Sequence, residues 1–217
     1  MAVSRRTAEP LIPHRPTLSK LRNAAAGCTA CELHRLGTQT VFGEGPAKAR
    51  VMMVGEQPGD REDLEGHPFV GPAGKLLDRS LEAAGIARDD VYLTNVVKHF
   101  RWEATRGKRR IHRKPAMAHI SACRPWLDSE LSVVRPEIVV CLGATATQAI
   151  AGRAFKLSEH RGELLEVDGM DALVAATVHP SSVLRAPDDE ARRREREAFV
   201  SDLVTVRRAL AGDGAET

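Results

Sequence analysis

Short, uninterrupted apolar runs alternate with stretches of helical periodicity along the chain. Continuous apolar runs separated by helices are typical of parallel strands that are buried on both faces of a sheet. We therefore predict an α/β fold, a three-layer sandwich in which helices flank a central four-stranded parallel sheet. The four predicted strands are Val51–Val54, Val91–Thr94, Ile138–Leu142 and Ala172–Val178.

Helices are predicted where apolar residues recur three and four positions apart. The second predicted helix carries Leu76, Leu77 and Leu81 on one face and ends at Gly85. The other predicted helices lie at about Leu18–Ala26, from about Pro115, after Gly143-Ala144-Thr145, and at about Asp189–Ala211.

The composition fits one such domain and excludes several other classes. The 217 residues are 42% hydrophobic and 28% charged, which excludes a disordered or collagen-like chain. No apolar run approaches about 18 residues, so no membrane span is expected. The N-terminus lacks the apolar core of a signal peptide, so we expect a cytoplasmic protein. Without a linker or repeat, we predict a single domain over 1–217, with flexible tails at 1–16 and 212–217.

Polar segments follow the predicted strands at their carboxyl ends, where open parallel sheets bind ligands. Asn95 offers both a donor and an acceptor, His179 offers a ring N–H, and the backbone around Gly55 permits close approach of a carbonyl oxygen. Each residue alone is more simply explained as a cap or a turn residue. Together they predict a pocket for a small polar ring, lined by Gly55-Glu56-Gln57, Asn95, Gly143-Ala144-Thr145 and His179-Pro180-Ser181.

Two further features point to nucleic acid. Phe69 lies in a polar stretch, where it is either a loop anchor or a platform on which a flipped base stacks. The segment from Arg101 to Lys114 is strongly basic, with only Glu103 opposing. A solvated loop is the ordinary explanation of such charge. Because this basic segment follows a strand on the ligand side of the sheet, beside a base-sized pocket, we predict that it contacts phosphates.

The four cysteines of the chain are Cys28, Cys31, Cys123 and Cys141. In a reducing cytosol two disulfides are not expected. Cys28 and Cys31 form a CxxC pair that follows a predicted helix, a context that favours metal ligation over a redox dithiol. The pair supplies half of a site, so two further ligands are needed.

Five segments, in this order along the chain, resemble the iron–sulfur uracil-DNA glycosylases of family 4. They are Gly55–Asp60, Phe69–Gly74, Thr94–Lys98, Cys123–Trp126 and His179–Ser181. Two departures are similar to the UdgX branch: His99 stands where family 4 usually has a cysteine, and Lys108–His112 is an addition. The resemblance implies the uracil-DNA glycosylase fold, uracil-containing DNA as substrate, and uracil excision followed by covalent capture of the DNA.

The resemblance also implies a 4Fe–4S cluster with a structural role. Its ligands would be Cys28, Cys31, His99 and Cys123, since histidine can replace a thiolate in such clusters. Cys141 is the alternative fourth ligand, although it lies inside an apolar strand, where free cysteine is commonly a small core residue. A Cys₃His set also suits structural zinc.

For base recognition, the resemblance implies that Phe69 stacks on uracil, Asn95 reads its Watson–Crick edge, and His179 donates to O2 as negative charge grows there. Asp60 and Glu62 are alternatives for excluding the methyl group of thymine. The implied uracil-binding set is Gln57, Asp60, Phe69, Asn95 and His179.

For catalysis, the resemblance implies that His112 bonds to C1′ of the sugar, with Glu56 orienting the imidazole and accepting its other proton. An alkylated imidazole is a poor leaving group, so the protein would act once.

We expect a monomer whose DNA contacts come from Lys108, Arg109, Arg110, Ser181 and Arg185. Leu184 is the alternative to Arg185 for filling the gap left by the base. The alternatives are a turnover glycosylase that releases abasic DNA and a non-catalytic nucleic-acid-binding module with a structural metal.

Overall fold

The computed structural model describes residues 7–104 and 110–212, and its strands follow the apolar runs. The strands are β1 (Val51–Gly55), β2 (Val91–Asn95), β3 (Trp102–Ala104), β4 (Arg110–His112), β5 (Ile138–Leu142), β6 (Leu164–Leu165) and β7 (Leu173–Thr177). The main sheet has the order β2-β1-β5-β7-β6, in which the first four strands are parallel and β6 is antiparallel to β7. The predicted fold class and its four parallel strands are confirmed, and the short edge strand β6 is an addition.

The helices lie on both faces of this sheet. They are α1 (Leu18–Ala25), α2 (Asp60–Glu65), α3 (Pro72–Ala84), α4 (Met117–Val134), α5 (Ala144–Ala151), α6 (Pro180–Leu184) and α7 (Asp189–Leu210). The five predicted helices are present, and the short helices α2 and α6 are additions. No helix in the described part of the chain has the length and apolar character needed to span a bilayer.

Two apolar cores separate the three layers, because successive residues of a strand point to opposite faces. From β1, Met52 and Val54 pack into the core that α1, α4 and α5 cover. Val51 and Met53 pack into the core that α3, α6 and α7 cover. All of β1 is buried, which explains why its sequence reads as an unbroken apolar run.

The basic segment after β2 is more ordered than its sequence indicates. It contains the antiparallel pair β3 and β4, in which Trp102 faces His112. With three residues each, β3 and β4 are too short to be predicted from an alternation of apolar and polar positions. Lys108 and Arg109, both predicted to contact DNA, lie outside the described residues.

The described part of the N-terminal segment contacts the domain. Ala8 is buried, and its N–H donates to the carbonyl of Ala122 in α4. A short 3-10 helix, Glu9–Leu11, follows it. Part of the segment that the sequence predicts as a flexible tail therefore packs against α4.

Candidate active site

The residues that follow the parallel strands line one cavity at the carboxyl edge of the sheet. Its volume is about 790 Å³, within the range of about 300–1,000 Å³ that is usual for small-molecule sites. The cavity brings together every predicted catalytic and uracil-binding residue and two of the predicted DNA contacts. These residues are Glu56, Gln57, Asp60, Phe69, Asn95, His112, His179, Ser181 and Arg185.

Gly55, the last residue of β1, makes room for two side chains of this cavity. A Cβ atom at this position would lie 2.3 Å from Oδ1 of Asn95 and 2.9 Å from Cζ of Phe69. From the sequence, we expect Gly55 to let a ligand approach the backbone closely. The structure shows a second effect: because Gly55 has no side chain, the amide of Asn95 and the ring of Phe69 can lie next to each other in the cavity. Asn95 is the last residue of β2 and is only 4% exposed.

Phe69 has an unusual backbone conformation. Its φ of 58° lies in the left-handed region, which is an outlier for a bulky residue and is frequent at functional sites. Gly74 makes this possible, because a Cβ there would lie 1.5 Å from the carbonyl oxygen of Phe69. The Phe69 ring stacks toward the imidazole of His179, with centroids 6.2 Å apart and planes inclined by 24°. Two flat rings thus lie side by side in the cavity.

The protonation state of His179 follows from its neighbours. The backbone N–H of Ser181 donates to Nδ1 of His179, at 3.2 Å, and the Ser181 hydroxyl lies 2.8 Å from the same atom. Burial, together with the positive charge of Arg185 and the neighbouring His112, lowers the pKa of His179 to about 4. The ring is therefore neutral at pH 7, and since Nδ1 accepts, its proton is on Nε2. His179 is thus a neutral N–H donor in the cavity.

Ser181 makes a contact within the protein that its sequence position does not predict. The phosphate contact predicted from the sequence stays a prediction. In the structure the hydroxyl lies against the His179 ring, because Ser181 is the second residue of α6 and His179 is the residue that precedes this helix. Its effect in this structure is to hold the tautomer of His179.

His112 lies at the end of β4 and reaches the carboxylate of Glu56. Nε2 of His112 is 3.4 Å from Oε1 of Glu56. Burial lowers the pKa of His112, and Arg185 acts in the same direction, while the carboxylates of Glu56 and Glu62 oppose them. The imidazole is therefore largely neutral at pH 7 and keeps the lone pair that a nucleophile needs.

Arg110 contacts acidic side chains within the protein. Its Nε lies 2.5 Å from Oδ1 of Asp60, and its Nη1 lies 2.6 Å from Oδ2 of Asp63. The side chain is only 16% exposed, because two carboxylates on α2 face the hairpin. Arg110 therefore has internal ion-pair partners, one of which is Asp60, and the phosphate contact of Arg110 and the uracil contact of Asp60 stay predictions. These ion pairs fasten β4, and with it His112, to α2.

Asp60 and Glu62, the two alternatives for excluding thymine, both line the cavity and are held by different contacts. Oε1 of Glu62 accepts the backbone N–H of Gly71, at 3.2 Å, and a Cβ on Gly59 would lie 2.3 Å from Oε2 of Glu62. Glu62 is therefore held between two loops that line the cavity, while Asp60 is occupied by Arg110.

Three polar side chains of the cavity have no individual role in the sequence-based prediction. Thr145 donates its hydroxyl to Glu56, while Arg61 and Lys114 add positive charge to the lining. The sequence indicates Lys114 only as one member of the basic segment, and no sequence pattern indicates Arg61. Thr145 is predicted to line the pocket because it follows a strand, but its contact with Glu56 depends on the tertiary structure.

The predicted metal ligands Cys28, Cys31 and Cys123 form a group of neighbouring free thiols. Burial raises the pKa of Cys123 to about 12, and Cys28 and Cys31 add to this through like charge. Two N–H groups point at sulfur: Trp126 Nε1 donates to Cys28 at 3.3 Å, and the backbone of Lys98 donates to Cys123 at 3.3 Å. Hydrogen bonds of this kind stabilise metal-bound thiolates.

His99 is buried and neutral, because burial lowers its pKa to about 4. The Thr40 hydroxyl donates to the carbonyl of Ala25, at 2.8 Å, so its oxygen accepts from Nε2 of His99, at 3.0 Å. This leaves the lone pair on Nδ1 of His99. The pKa of Cys141 is raised to about 12 by burial alone, with no neighbouring thiol contributing. Among the residues that the structure describes, no three His, Cys, Asp or Glu side chains stand close enough to share one metal ion.

Comparison with known proteins identifies the family of this chain. The sequence profile of the Uracil DNA glycosylase superfamily matches residues 42–204, which include every residue of the cavity. The chain therefore belongs to the uracil-DNA glycosylase superfamily.

Within the superfamily, the chain is similar to type-4 proteins. The "Type-4 uracil-DNA glycosylase" of Archaeoglobus fulgidus is 38% identical over 182 residues, covering 81% of this chain and 84% of the relative. The protein of the same description from Sulfurisphaera tokodaii is 36% identical over 182 residues, covering 79% and 78%. Among solved structures, wild-type Pedobacter heparinus SMUG2 has a TM-score of 0.55 at 13% identity, covering 76% of this chain and 77% of that one. The last match shows a shared fold.

Proposed function

We propose that this protein excises uracil from DNA. The observation that carries the proposal is the neutral His179, whose Nδ1 accepts from Ser181 and whose Nε2–H is left for a ligand. Beside it, the ring of Phe69 suits stacking on a pyrimidine, and the amide of Asn95 suits its Watson–Crick edge. The family and the type-4 relatives support uracil as that pyrimidine.

In the proposed reaction the bond between N1 of uracil and C1′ of the sugar breaks. The electron pair moves onto the uracil ring, and negative charge grows at O2. The Nε2–H of His179 is the donor placed to stabilise that charge, and such preorganised donors are often the largest single contribution to catalysis. The sugar becomes oxocarbenium-like at C1′ and requires a nucleophile.

We infer that His112 is this nucleophile and that the product is a covalent protein–DNA complex. Its imidazole is largely neutral at pH 7 and contacts the carboxylate of Glu56. A bond forms between the imidazole and C1′, the imidazole loses its other N–H proton to Glu56, and the uracil anion takes up a proton from solvent. The similarity to type-4 relatives favours a second candidate, in which Glu56 instead positions water and abasic DNA is released.

A denaturing gel separates these two outcomes. We expect the wild-type protein to form, with uracil-containing single-stranded DNA, a complex that survives heat and SDS. His112→Ala is expected to lose that band while uracil release persists, because the variant retains His179. His160→Ala is the matched control, since this histidine also contacts a glutamate but lies outside the cavity. A band that persists in His112→Ala, or a wild-type reaction that yields only abasic DNA, would contradict capture by His112.

We further propose that the DNA backbone is contacted by Lys108, Arg109, Arg110, Ser181 and Arg185. We also propose that a 4Fe–4S cluster is held by Cys28, Cys31, His99 and Cys123. The thiols and the lone pair on Nδ1 of His99 are a donor set of the required kind. The resemblance to the iron–sulfur glycosylases of family 4 supports a cluster over structural zinc, which the same Cys₃His set would also suit.

Metal analysis of the purified protein tests this assignment. We expect about four iron atoms per chain and a broad absorbance near ~400 nm, as for a 4Fe–4S protein. Cys28→Ser is expected to lose both signals. Cys141→Ser is the matched control and is expected to keep them, because Cys141 has no neighbouring thiol. One zinc per chain with no iron, or loss of iron in Cys141→Ser alone, would refute the ligand set.

A further inference from the structure

Thr145 contacts the proposed partner of the nucleophile. It is the second residue of α5, the helix that follows β5, and it is buried, with 5% of its surface exposed. Its Oγ1 donates a short hydrogen bond to Oε2 of Glu56. The other oxygen of the same carboxylate, Oε1, is the one that lies 3.4 Å from Nε2 of His112. Thr145, Glu56 and His112 therefore form a continuous chain of contacts.

The direction of this chain follows from the chemistry of its members. A threonine hydroxyl has one proton, and at neutral pH a carboxylate accepts only, so Thr145 donates to Glu56. The carboxylate group rotates about a terminal torsion with broad minima. The hydrogen bond from Thr145 to Oε2 fixes this torsion in the orientation in which Oε1 faces His112.

Thr145 does not make the ordinary bond of a helical threonine. Thr147, two residues later in α5, donates its hydroxyl to the carbonyl of Gly143, at 3.0 Å, which is the usual local contact four residues back. Thr145 instead reaches across the cavity edge to a side chain that follows β1. Its hydroxyl contacts the site and does not cap or brace its own helix.

We propose that Thr145 is a positioning residue for covalent capture. It holds Glu56 so that Oε1 accepts the N–H proton of His112 while the imidazole bonds to C1′. The bond that forms is N–C1′, the bond that breaks is N–H, and the proton goes to Oε1 of Glu56. This inference rests on the proposed function, because it concerns the capture step of that reaction.

The test measures two products of one reaction under single-turnover conditions: uracil released and SDS-stable complex formed. Thr145→Val keeps the shape and removes the hydroxyl. We expect it to slow complex formation about tenfold, the effect of losing one hydrogen bond to a charged group, while uracil release changes less than about twofold. Free abasic DNA then accumulates. Thr145→Ser keeps the hydroxyl and is expected to restore capture.

Controls separate positioning from structural support. Thr147→Val removes a hydroxyl from the same helix and is expected to behave as the wild type. Thr145→Ala provides a second variant without the hydroxyl if the valine lowers the yield of folded protein. Unchanged partition between complex and abasic DNA in both Thr145→Val and Thr145→Ala would overturn the proposal. So would an equal loss of both products accompanied by a lower melting temperature. Failure of the wild-type protein itself to release uracil or to form the complex would overturn the proposed function, and this inference with it.

Discussion

Replacing His179 with alanine is expected to slow uracil release about 10²–10³-fold, the usual effect of removing one donor from a developing oxyanion. The donor is the Nε2–H of a neutral imidazole, because Ser181 occupies Nδ1 and burial lowers the pKa of His179 to about 4. The measurement is the single-turnover rate of uracil release from single-stranded DNA at pH 7.

His179→Gln serves as the companion variant, because its amide can donate from a similar position, and we expect it to retain part of the lost rate. The control is His67→Ala, since His67 contacts Glu44 and does not line the cavity. A rate for His179→Ala within about threefold of the wild type would mean that this donor is not the one that stabilises the leaving base.

Replacing Lys98 with methionine is expected to lower the free energy of unfolding by about 3–5 kcal/mol, the usual cost of breaking a buried ion pair from one side. Lys98 and Glu130 are both fully buried, and their charged atoms are 2.5 Å apart. Nζ of Lys98 also donates to the hydroxyl of Thr94, at 2.6 Å, and to the carbonyl of Asn95, at 2.8 Å. Loss of the ammonium group therefore leaves a carboxylate without its cation beneath the strand that carries Asn95.

Urea unfolding measures this effect, with the midpoint and the slope both recorded. The double variant Lys98→Met/Glu130→Gln removes both charges and keeps an acceptor for Tyr92, which donates to Glu130 at 3.0 Å. We expect the double variant to be more stable than Lys98→Met alone, because no unpaired charge remains buried. The single variant Glu130→Gln completes the cycle. If Lys98→Met were as stable as the wild type, or if the losses of unfolding free energy in Lys98→Met and Glu130→Gln simply added up in the double variant, the two residues would not be a coupled pair.

The parallel sheet was predictable because each of its four strands is buried on both faces and so has a continuous apolar sequence. Val51–Gly55 is the clearest case, with every residue buried. The grouping of Asn95 and His179 was predictable for the same reason, since parallel strands end at one edge of the sheet. The position of Phe69 beside them was not predictable, because it depends on Gly55 and Gly74, whose close contacts with these residues exist only in the folded backbone.

The contacts of Arg110 were not predictable from its sequence. Seven basic residues in one segment suggested phosphate, but Asp60 and Asp63, which bind Arg110, lie about fifty residues earlier on a helix of 6 residues. So short a helix has no apolar stripe to reveal it. Thr145 is a similar case, because threonine is common after a strand and only the fold places its hydroxyl on Glu56.

Peptide mapping of the heat-stable complex tests the proposed bond between His112 and C1′ most directly. Trypsin cleaves after Arg110 and Arg113, so His112 is released in the peptide Ile111-His112-Arg113. After nuclease digestion, mass spectrometry is expected to find the mass of a deoxyribose phosphate on this peptide, with fragment ions that assign it to the imidazole. The same mass on another peptide, or an unmodified Ile111–Arg113 peptide recovered in full from the complex, would contradict the account.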